Sequence, residues 1–504
     1  MTSAPARVDL SLISHTNVGK TTLARTLLRR DIGEVGDRPH VTDLAESDVL
    51  IDSLEGDSLV LWDTPGFGDS ARLFRRLQQA GQPVGWFLSQ VWDRFADRPF
   101  WCGQQAMRNA RDSSDVILYV ANASEQPSSS AYVDVEMQIL EWLGKPVILL
   151  LNQLGPPRDS AHLQTELQQW EAQAARHPCV RAVLPFDAFA RCWVQEGTLL
   201  DYVQRVLPTD KQAPFERLRE AWKQRNLTVF GQSMQTLAHQ LAVIAIDSEP
   251  IVDLDLRGKA RAWIGALTGG VERDAAELQR AQIALASRLD AQVRAATREL
   301  VRLHGLSGDA TEEVLQQLGQ QFSVRRPADA DKASVIGGLV SGALGGLAAD
   351  LGAGGLTFGA GALIGGVLGA FGARGIAKAY NLARGSEDGT VRWSAEFLES
   401  RFAAALMRYL AVAHFGRGRG DFVAGLAPAH WRETVDEAVQ VRRAQLQAVW
   451  AMARAADSDS SSTDTTAAAL LPMVVASARE VLSRLYPDSM PVDRRNEGPG
   501  ERVR

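Results

Sequence analysis

The amino-acid sequence predicts an α/β domain with a mostly parallel sheet, followed by a mainly α-helical domain. Between residues 8 and 200, short β-branched runs alternate with longer amphipathic stretches, a pattern typical of strands covered by helices on both faces. From about Pro214 the strand-like runs disappear, and patterns rich in Ala, Leu, Arg and Gln replace them. A glycine-rich apolar segment, residues 333–375, interrupts the helical part.

Each predicted strand is a short apolar run bounded by turn residues: Val8–Ile13, Asp48–Ser53, Ser58–Asp63, Asp115–Ala121, Pro146–Asn152 and Val180–Pro185. The segments between several of them have helical spacing, namely Thr21–Arg30, Ala131–Leu143 and Ala161–Ala175. In the second part, apolar residues three, four or seven apart from Leu278 to Leu303 indicate one long helix. A last apolar helix near Leu470–Tyr486 is expected after a linker at Asp457–Thr466.

These patterns divide the chain into segments with distinct expected structures. We predict an N-terminal lead (1–7), the α/β domain (8–205), the first part of the helical domain (206–332), a glycine-rich helical hairpin (333–375), the second part of the helical domain (376–486) and a disordered tail (487–504).

Composition narrows the class of protein. The 504 residues include 54 basic and 60 acidic side chains, for a net charge of −6, so there is no strong nucleic-acid signature. Three cysteines cannot form a disulfide framework in so long a chain, which favours a reducing compartment. The N-terminus shows no signal-peptide pattern. We therefore expect a cytoplasmic protein.

The strongest local motif directly follows the first predicted strand and reads SHTNVGKTT over residues 14–22. It has the form GxxxxGK[ST], with Ser14 in place of the first glycine. Phosphate oxygens need backbone N–H groups, a helix N-terminus and a cation. Gly19 permits close approach of the backbone, Lys20 supplies the charge, and Thr21 offers a hydroxyl to Mg²⁺. The motif predicts a nucleoside triphosphate site.

A second motif, DTPG, follows at the end of the third predicted strand. Asp63 lies where a carboxylate can hold Mg²⁺, and Gly66 leaves a backbone N–H to sense a γ-phosphate. Between the two motifs, the polar segment Asp31–Asp43 contains a single threonine, Thr42. This threonine either closes over Mg²⁺ when the triphosphate is present or is an exposed loop residue.

The motifs NVGKTTL and DTPGFGD, with Thr42 between them, resemble those of the Era-like branch of the translation-factor-related P-loop GTPases. The resemblance covers residues 8–200 and implies a Ras-like fold, binding of GTP, GDP and Mg²⁺, and slow hydrolysis coupled to a switch. It implies that the phosphates are cradled by Asn17, Val18, Gly19, Lys20, Thr21 and Thr22. It also assigns Mg²⁺ to Thr21, Thr42 and Asp63, and catalysis to Lys20, Thr42 and Gly66.

Two positions bear on turnover and base selectivity. Phe67 follows DTPG. Many GTPases have a glutamine at this position that orients the attacking water, whereas Era-like enzymes resemble this sequence in having a hydrophobic residue. The resemblance therefore implies low turnover. The base-reading motif NKxD of the family is NQLG here. Asn152 is kept, but Gly155 replaces the carboxylate. Asp187, in a later loop, is either a substitute carboxylate or an exposed loop residue, so selectivity for GTP over ATP stays open.

The segment between Gly66 and Asp115 is longer than a minimal fold needs and holds several aromatic residues: Trp86, Trp92, Phe95, Phe100 and Trp101. It is either a packed helical insertion or a partner surface that rearranges with the nucleotide.

In residues 333–375, glycines recur every fourth position, a spacing that lets two helices approach closely in lipid. Each arm of the predicted hairpin is about 26 Å long, near the lower limit for crossing a bilayer. The segment is either a membrane-associated hairpin at the inner membrane, with a lipid or membrane-protein partner, or the buried core of a soluble bundle.

The whole chain resembles bacterial proteins in which an Era-like GTPase domain is joined to a helical domain of unknown function. The first hypothesis is a nucleotide-controlled GTPase switch with a membrane-associated helical region. A cytosolic GTPase of RNA modification or ribosome maturation is the second, and a nucleotide-binding scaffold without turnover is the third. The sequence leaves oligomeric state open.

Overall fold

The computed structural model describes residues 5–29, 45–79, 83–89, 97–127, 130–154, 160–187, 192–251, 270–306, 380–382, 389–414, 429–456 and 459–486. The predictions for Thr42, for the glycine-rich hairpin 333–375 and for the tail 487–504 lie outside the described residues.

A six-stranded sheet organises the first part of the chain, with the strand order β2-β3-β1-β4-β5-β6. Its strands are β1 (Arg7–Ser14), β2 (Glu46–Asp52), β3 (Ser58–Asp63), β4 (Val116–Asn122), β5 (Val147–Asn152) and β6 (Val180–Pro185). β2 pairs antiparallel with β3, and every other neighbouring pair is parallel. The predicted α/β fold with a mostly parallel sheet is therefore confirmed.

The inner strands are almost fully buried, because helices cover both faces of a parallel sheet. In β4 and β5 every apolar residue is at most 2% exposed. The helices of this part are α1 (Lys20–Leu28), α2 (Ser70–Leu77), α3 (Pro83–Ser89), α4 (Arg98–Asp112), α5 (Ala131–Glu141), α6 (Ser160–Ala174) and α7 (Trp193–Val206). β1 lies between β3 and β4, so the strand order reverses at β1. Ligands of such sheets bind at this point, beyond the carboxyl ends of the strands, and the turn after β1 lies there.

The long segment after Gly66 forms the helices α2, α3 and α4. Phe87 and Phe100 are buried and face each other edge-on, with ring centroids 6.5 Å apart. Phe100 thus belongs to the core, which favours the packed insertion over a partner surface for this residue. Trp92 and Phe95 lie outside the described residues.

The described residues form two compact units. The first contains those up to Thr228, together with 413–414 and 485–486. The second contains residues 229–412 and 424–484 where described, and its helices include α9 (Gly270–Leu303), α10 (Ala395–Ala413), α11 (Ala429–Val441), α12 (Arg443–Ala455) and α13 (Ser460–Leu485). α8 (Thr209–Ile246) contributes residues to both units. The predicted domain ranges stay predictions.

Three short strands in the second unit were not predicted from the sequence. β7 (Ser248–Ile251), β8 (Tyr380–Leu382) and β9 (Gly389–Trp393) form an antiparallel sheet with the order β7-β9-β8. The prediction that no strands follow Pro214 is therefore wrong. The sequence did not reveal these strands because runs this short show no recognisable alternation of apolar and polar residues. Pro250 also reads as a strand breaker, but it lies in β7, an edge strand of this sheet, where proline is tolerated.

The predicted linker at Asp457–Thr466 is mostly helical, because α13 already begins at Ser460. The Asp459 carboxylate accepts a 2.7 Å hydrogen bond from the backbone N–H of Ser462. A run of Asp and Ser that resembles a linker is here a helix start, since these side chains cap the first N–H groups.

Among the described helices, α13 is long and apolar enough to cross a membrane by length and composition. The mean hydropathy of its most apolar stretch is 1.3, and 44% of that stretch is buried within the protein. Core helices of soluble proteins meet the same criterion, so this is weak evidence for a membrane span.

Candidate nucleotide-binding site

The turn between β1 and α1 has the backbone that a phosphate loop requires. Asn17 and Gly19 both adopt the left-handed conformation, with φ of 62° and 87°. A Cβ atom on Gly19 would lie 2.8 Å from Nδ2 of Asn152, so only glycine fits there. α1 begins directly afterwards at Lys20, and its first N–H groups have no partner within the helix.

Lys20 is buried beneath this loop, with 8% of the residue exposed. Its Nζ donates a 2.9 Å hydrogen bond to Oγ of Ser14, the residue that replaces the first glycine of the motif. Burial lowers the pKa of Lys20, and the nearby charges of Asp63 and Glu136 oppose that effect. The ammonium group therefore lies in a low-dielectric site, where its attraction to a phosphate is strong.

Asp63 and Thr21 form the second half of the site. The Thr21 hydroxyl donates a 2.6 Å hydrogen bond to Oδ2 of Asp63. Among the described residues, Oδ1 of this carboxylate is buried without a hydrogen-bond partner, and burial raises the pKa of Asp63. Oxygen ligands of this kind suit Mg²⁺, and a buried unpartnered carboxylate oxygen fits a site completed by a cation.

The DTPG turn runs close to the phosphate loop. A Cβ on Gly66 would lie 3.1 Å from Nζ of Lys20 and 3.2 Å from the carbonyl oxygen of His15. The backbone N–H of Phe67 donates to the Ser14 carbonyl at 2.9 Å, and its ring is fully buried. Phe67 therefore belongs to the core, and its side chain offers no polar atom to orient water.

The loop after β5 is joined to the phosphate loop. Nδ2 of Asn152 donates a 2.7 Å hydrogen bond to the Val18 carbonyl, and Asn152 is fully buried. Gln153 takes the left-handed conformation, with φ 58°. The Asp187 carboxylate accepts a 2.9 Å hydrogen bond from the Leu154 N–H and is 8% exposed. The expectation of an exposed loop residue at Asp187 is wrong, because its carboxylate is held against this neighbouring loop.

The structure thus brings together the sequence-predicted residues Asn17, Val18, Gly19, Lys20, Thr21, Asp63, Gly66 and Asn152 at one end of the sheet. The Thr22 side chain is buried in α1, and its carbonyl accepts from Oγ1 of Thr26.

Sequence reasoning missed a buried network beneath the loop. Glu136 on α5 is fully buried, with Nδ1 of His15 2.7 Å from its Oε1. The Tyr119 hydroxyl donates to Oε2 at 2.7 Å, and burial raises the pKa of Tyr119 well above its usual value. The sequence did carry one signal for this network. Glu136 lies among apolar residues at helical spacing on α5, and a buried carboxylate needs hydrogen-bond donors around it.

Fold and site together define a P-loop nucleotide-binding protein. Residues 9–153 match the family described as 50S ribosome-binding GTPase, which confirms the predicted GTPase domain of the Era type. Residues 171–470 match the family described as a domain of unknown function, DUF3482. Because this match covers more than half of the chain, the protein belongs to the DUF3482 family.

Solved structures with similarity to this chain include two of Era. One is an Era variant from Aquifex aeolicus bound to GDP·AlF4⁻, 18% identical, covering 40% of this chain and 57% of its own, with a TM-score of 0.29. The other is Era with MgGDPNP and nucleotides 1506–1542 of 16S ribosomal RNA, 17% identical, covering 40% and 58%, with a TM-score of 0.30. The chain spans less than two thirds of the length of each. No curated protein matches the sequence.

Proposed function

We propose that this protein binds GTP and GDP with Mg²⁺ and hydrolyses GTP slowly, as a nucleotide-controlled switch. The observation that carries the proposal is the cluster of the buried Lys20 and Asp63 with the half-buried Thr21, beside a left-handed Gly19. A cation, a hydroxyl and a carboxylate oxygen at the start of a helix are the groups that a Mg²⁺-bound triphosphate needs.

In this proposal the backbone from Asn17 to Thr22 and the Lys20 ammonium hold the phosphates. Thr21 and Asp63, with Thr42 from the segment between the motifs, hold Mg²⁺, which when bound neutralises charge on the phosphate oxygens. A Cβ on Gly66 would lie 3.1 Å from Nζ of Lys20, which supports a role for the Gly66 backbone N–H in sensing a γ-phosphate. Binding or loss of that phosphate would then move the DTPG turn.

The expected turnover is low. In-line attack requires a positioned water molecule, and the buried Phe67 ring has no polar atom for that task. Lys20 and the loop N–H groups still stabilise the developing charge. This combination favours slow hydrolysis.

Calorimetry on the full chain tests the proposal. Mg·GTP and Mg·GDP are expected to bind, and Lys20→Ala is expected to lose at least ~10-fold in affinity, since a charge-assisted contact to phosphate contributes about 1.5–3 kcal/mol. Lys223→Ala, on α8 outside the site, is the matched control. Equal binding by wild type and Lys20→Ala would refute this site.

The two alternatives predict different behaviour. A scaffold without turnover binds Mg·GTP but releases no phosphate under single-turnover conditions. A GTPase acting on RNA or ribosomes co-sediments with ribosomal particles in a manner that depends on the bound nucleotide. The second alternative gains support from the name of the matched GTPase family and from the RNA present in one Era structure.

We further propose that residues 333–375 attach the protein to the inner membrane. Support comes from the glycine spacing and the low charge of the segment. Carbonate-resistant pelleting of the full chain that disappears on deletion of 333–375 is the expected result. Recovery of the intact chain in the soluble fraction would instead favour a buried bundle.

A further inference from the structure

A cavity lies at the amino ends of β5 and β6, whereas the phosphate loop lies at the carboxyl end of the parallel strands. The cavity volume is about 630 Å³, and its described lining comes from the end of α5, the turns that lead into β5 and β6, and the end of α7. The lining is open at Gly144, where a Cβ would meet nothing within 4 Å. Small-molecule sites have volumes of roughly 300–1,000 Å³, so this cavity has the size of a ligand site.

Three cations from different segments line this cavity: Lys145 before β5, Arg181 in β6 and Arg205 near the end of α7. Within the part of the chain that the structure describes, none of the three forms an ion pair. Both arginines are exposed, and the Arg205 guanidinium lies 4.9 Å from the centroid of the Tyr202 ring. Lys145 donates one N–H group to the Ser114 carbonyl at 2.6 Å, which leaves two of its three donors for a ligand.

Little negative charge opposes these cations. Glu141 is the single carboxylate of the described lining, and its Oε1 lies 3.0 Å from Nδ1 of His177. Burial, together with the nearby charge of Glu141, raises the pKa of Cys179 to about 11, so this thiol is neutral in neutral solution. With three cations against one carboxylate, the described lining has an excess of positive charge and attracts anions.

We propose that this cavity binds a small molecule that carries two or more phosphate or carboxylate groups. Because the cations come from three separate segments, different anionic groups of one molecule can each contact a different cation. The concave shape and the volume favour a small molecule over a nucleic-acid backbone, which follows an extended groove. The inference does not rest on the nucleotide site, since none of its residues belongs to that site.

Calorimetry on the full chain, in metal-free buffer of low ionic strength, tests the inference with pyrophosphate and citrate as probes. At least one of the two is expected to bind to the cavity. Arg181→Ala and Arg205→Ala are each expected to weaken that binding ~5- to 10-fold, because each removes a charge-assisted contact. Arg298→Ala makes the same chemical change at an exposed residue of α9 and is expected to leave the affinity unchanged. Equal losses in all three variants would overturn the inference.

Lys20→Ala separates the cavity from the nucleotide site. Pyrophosphate resembles the phosphates of a nucleotide, so in wild type it can also occupy the phosphate loop. Binding that persists in Lys20→Ala but weakens in Arg181→Ala belongs to the cavity. Binding that Lys20→Ala removes and Arg181→Ala leaves intact belongs to the phosphate loop, and this result would overturn the inference.

Cys179 reports where a probe binds, because it lines the cavity and is partly exposed, whereas Cys102 and Cys192 are buried. Maleimide labelling of Cys179 at mildly alkaline pH, measured by mass spectrometry, is expected to slow ~10-fold at about ten times the probe Kd, since most chains are then occupied. An unchanged labelling rate at saturation would place the probe elsewhere and overturn the inference. If neither pyrophosphate nor citrate binds, the inference is wrong, while GDP binding by the same preparation would leave the nucleotide site intact.

Discussion

Gly19 and Asn152 approach so closely that a single methyl group on Gly19 would lie 2.8 Å from the Asn152 side-chain nitrogen. Gly19 lies in the turn after β1, whereas Asn152 is the last residue of β5. Their contact, with the hydrogen bond from Asn152 to the Val18 carbonyl, packs the end of β5 directly against the phosphate loop.

Gly19→Ala is expected to abolish measurable GDP binding and to lower the free energy of unfolding. The added Cβ meets Asn152 at a distance that real contacts avoid, and the left-handed φ of 87° adds strain of about 1 kcal/mol or more. Calorimetry and urea unfolding measure the two effects. Gly144→Ala is the control, because its φ is 66° but a Cβ there meets nothing within 4 Å. Normal GDP binding by Gly19→Ala would contradict this geometry.

Asn152→Ala is expected to weaken GDP binding by roughly 10-fold, because the variant leaves the Val18 carbonyl without this donor and loosens the phosphate loop. Asn122 occupies the same register position on neighbouring β4, but its amide donates to Glu125 at 3.2 Å. Asn122→Ala should therefore keep the wild-type affinity within about 2-fold. Similar losses in both variants would show that the effect is not specific to the Val18 contact.

The strands of the first domain could be predicted because long apolar runs between turn residues have few alternative structures. The phosphate loop could be predicted because phosphate binding restricts residue types over a few adjacent positions. The burial of Asp187 could not, since it depends on a donor from another loop, the Leu154 N–H. The buried network of Glu136 could not be predicted either, because its hydrogen-bond partners come from β4 and from the phosphate loop. Contacts between distant segments leave little local pattern.

Asp57 and Arg217 give the first compact unit an acid-sensitive contact. Arg217 on α8 donates to both carboxylate oxygens of Asp57, at 2.7 and 2.8 Å, and lowers the pKa of that carboxyl from 3.8 to about 2. Because the folded-state pKa lies below the unfolded value, the stabilisation is complete above about pH 4. It is lost as the pH falls through about 2.

We therefore expect the free energy of unfolding of wild type to exceed that of Asp57→Asn by roughly 1–2 kcal/mol or more above pH 4, and this difference to shrink toward pH 2. Urea unfolding at several pH values measures it. Asp52→Asn, at an exposed carboxylate, should run parallel to wild type. A difference between wild type and Asp57→Asn that stays constant from pH 5 to pH 2 would rule out this titration.

The network beneath the phosphate loop should behave as one energetic unit. Tyr119→Phe removes a hydroxyl that donates to the buried Glu136 carboxylate and is expected to cost about 1.5–3 kcal/mol of unfolding free energy. In Glu136→Gln the acceptor has already lost its charge, so the further cost of Tyr119→Phe should fall. A double-mutant cycle is expected to show a coupling energy of roughly 1 kcal/mol. Tyr202→Phe on α7, outside the network, is the control and should show no coupling to Glu136→Gln. Additive effects of the Tyr119 and Glu136 substitutions would mean that Glu136 is satisfied by His15 alone.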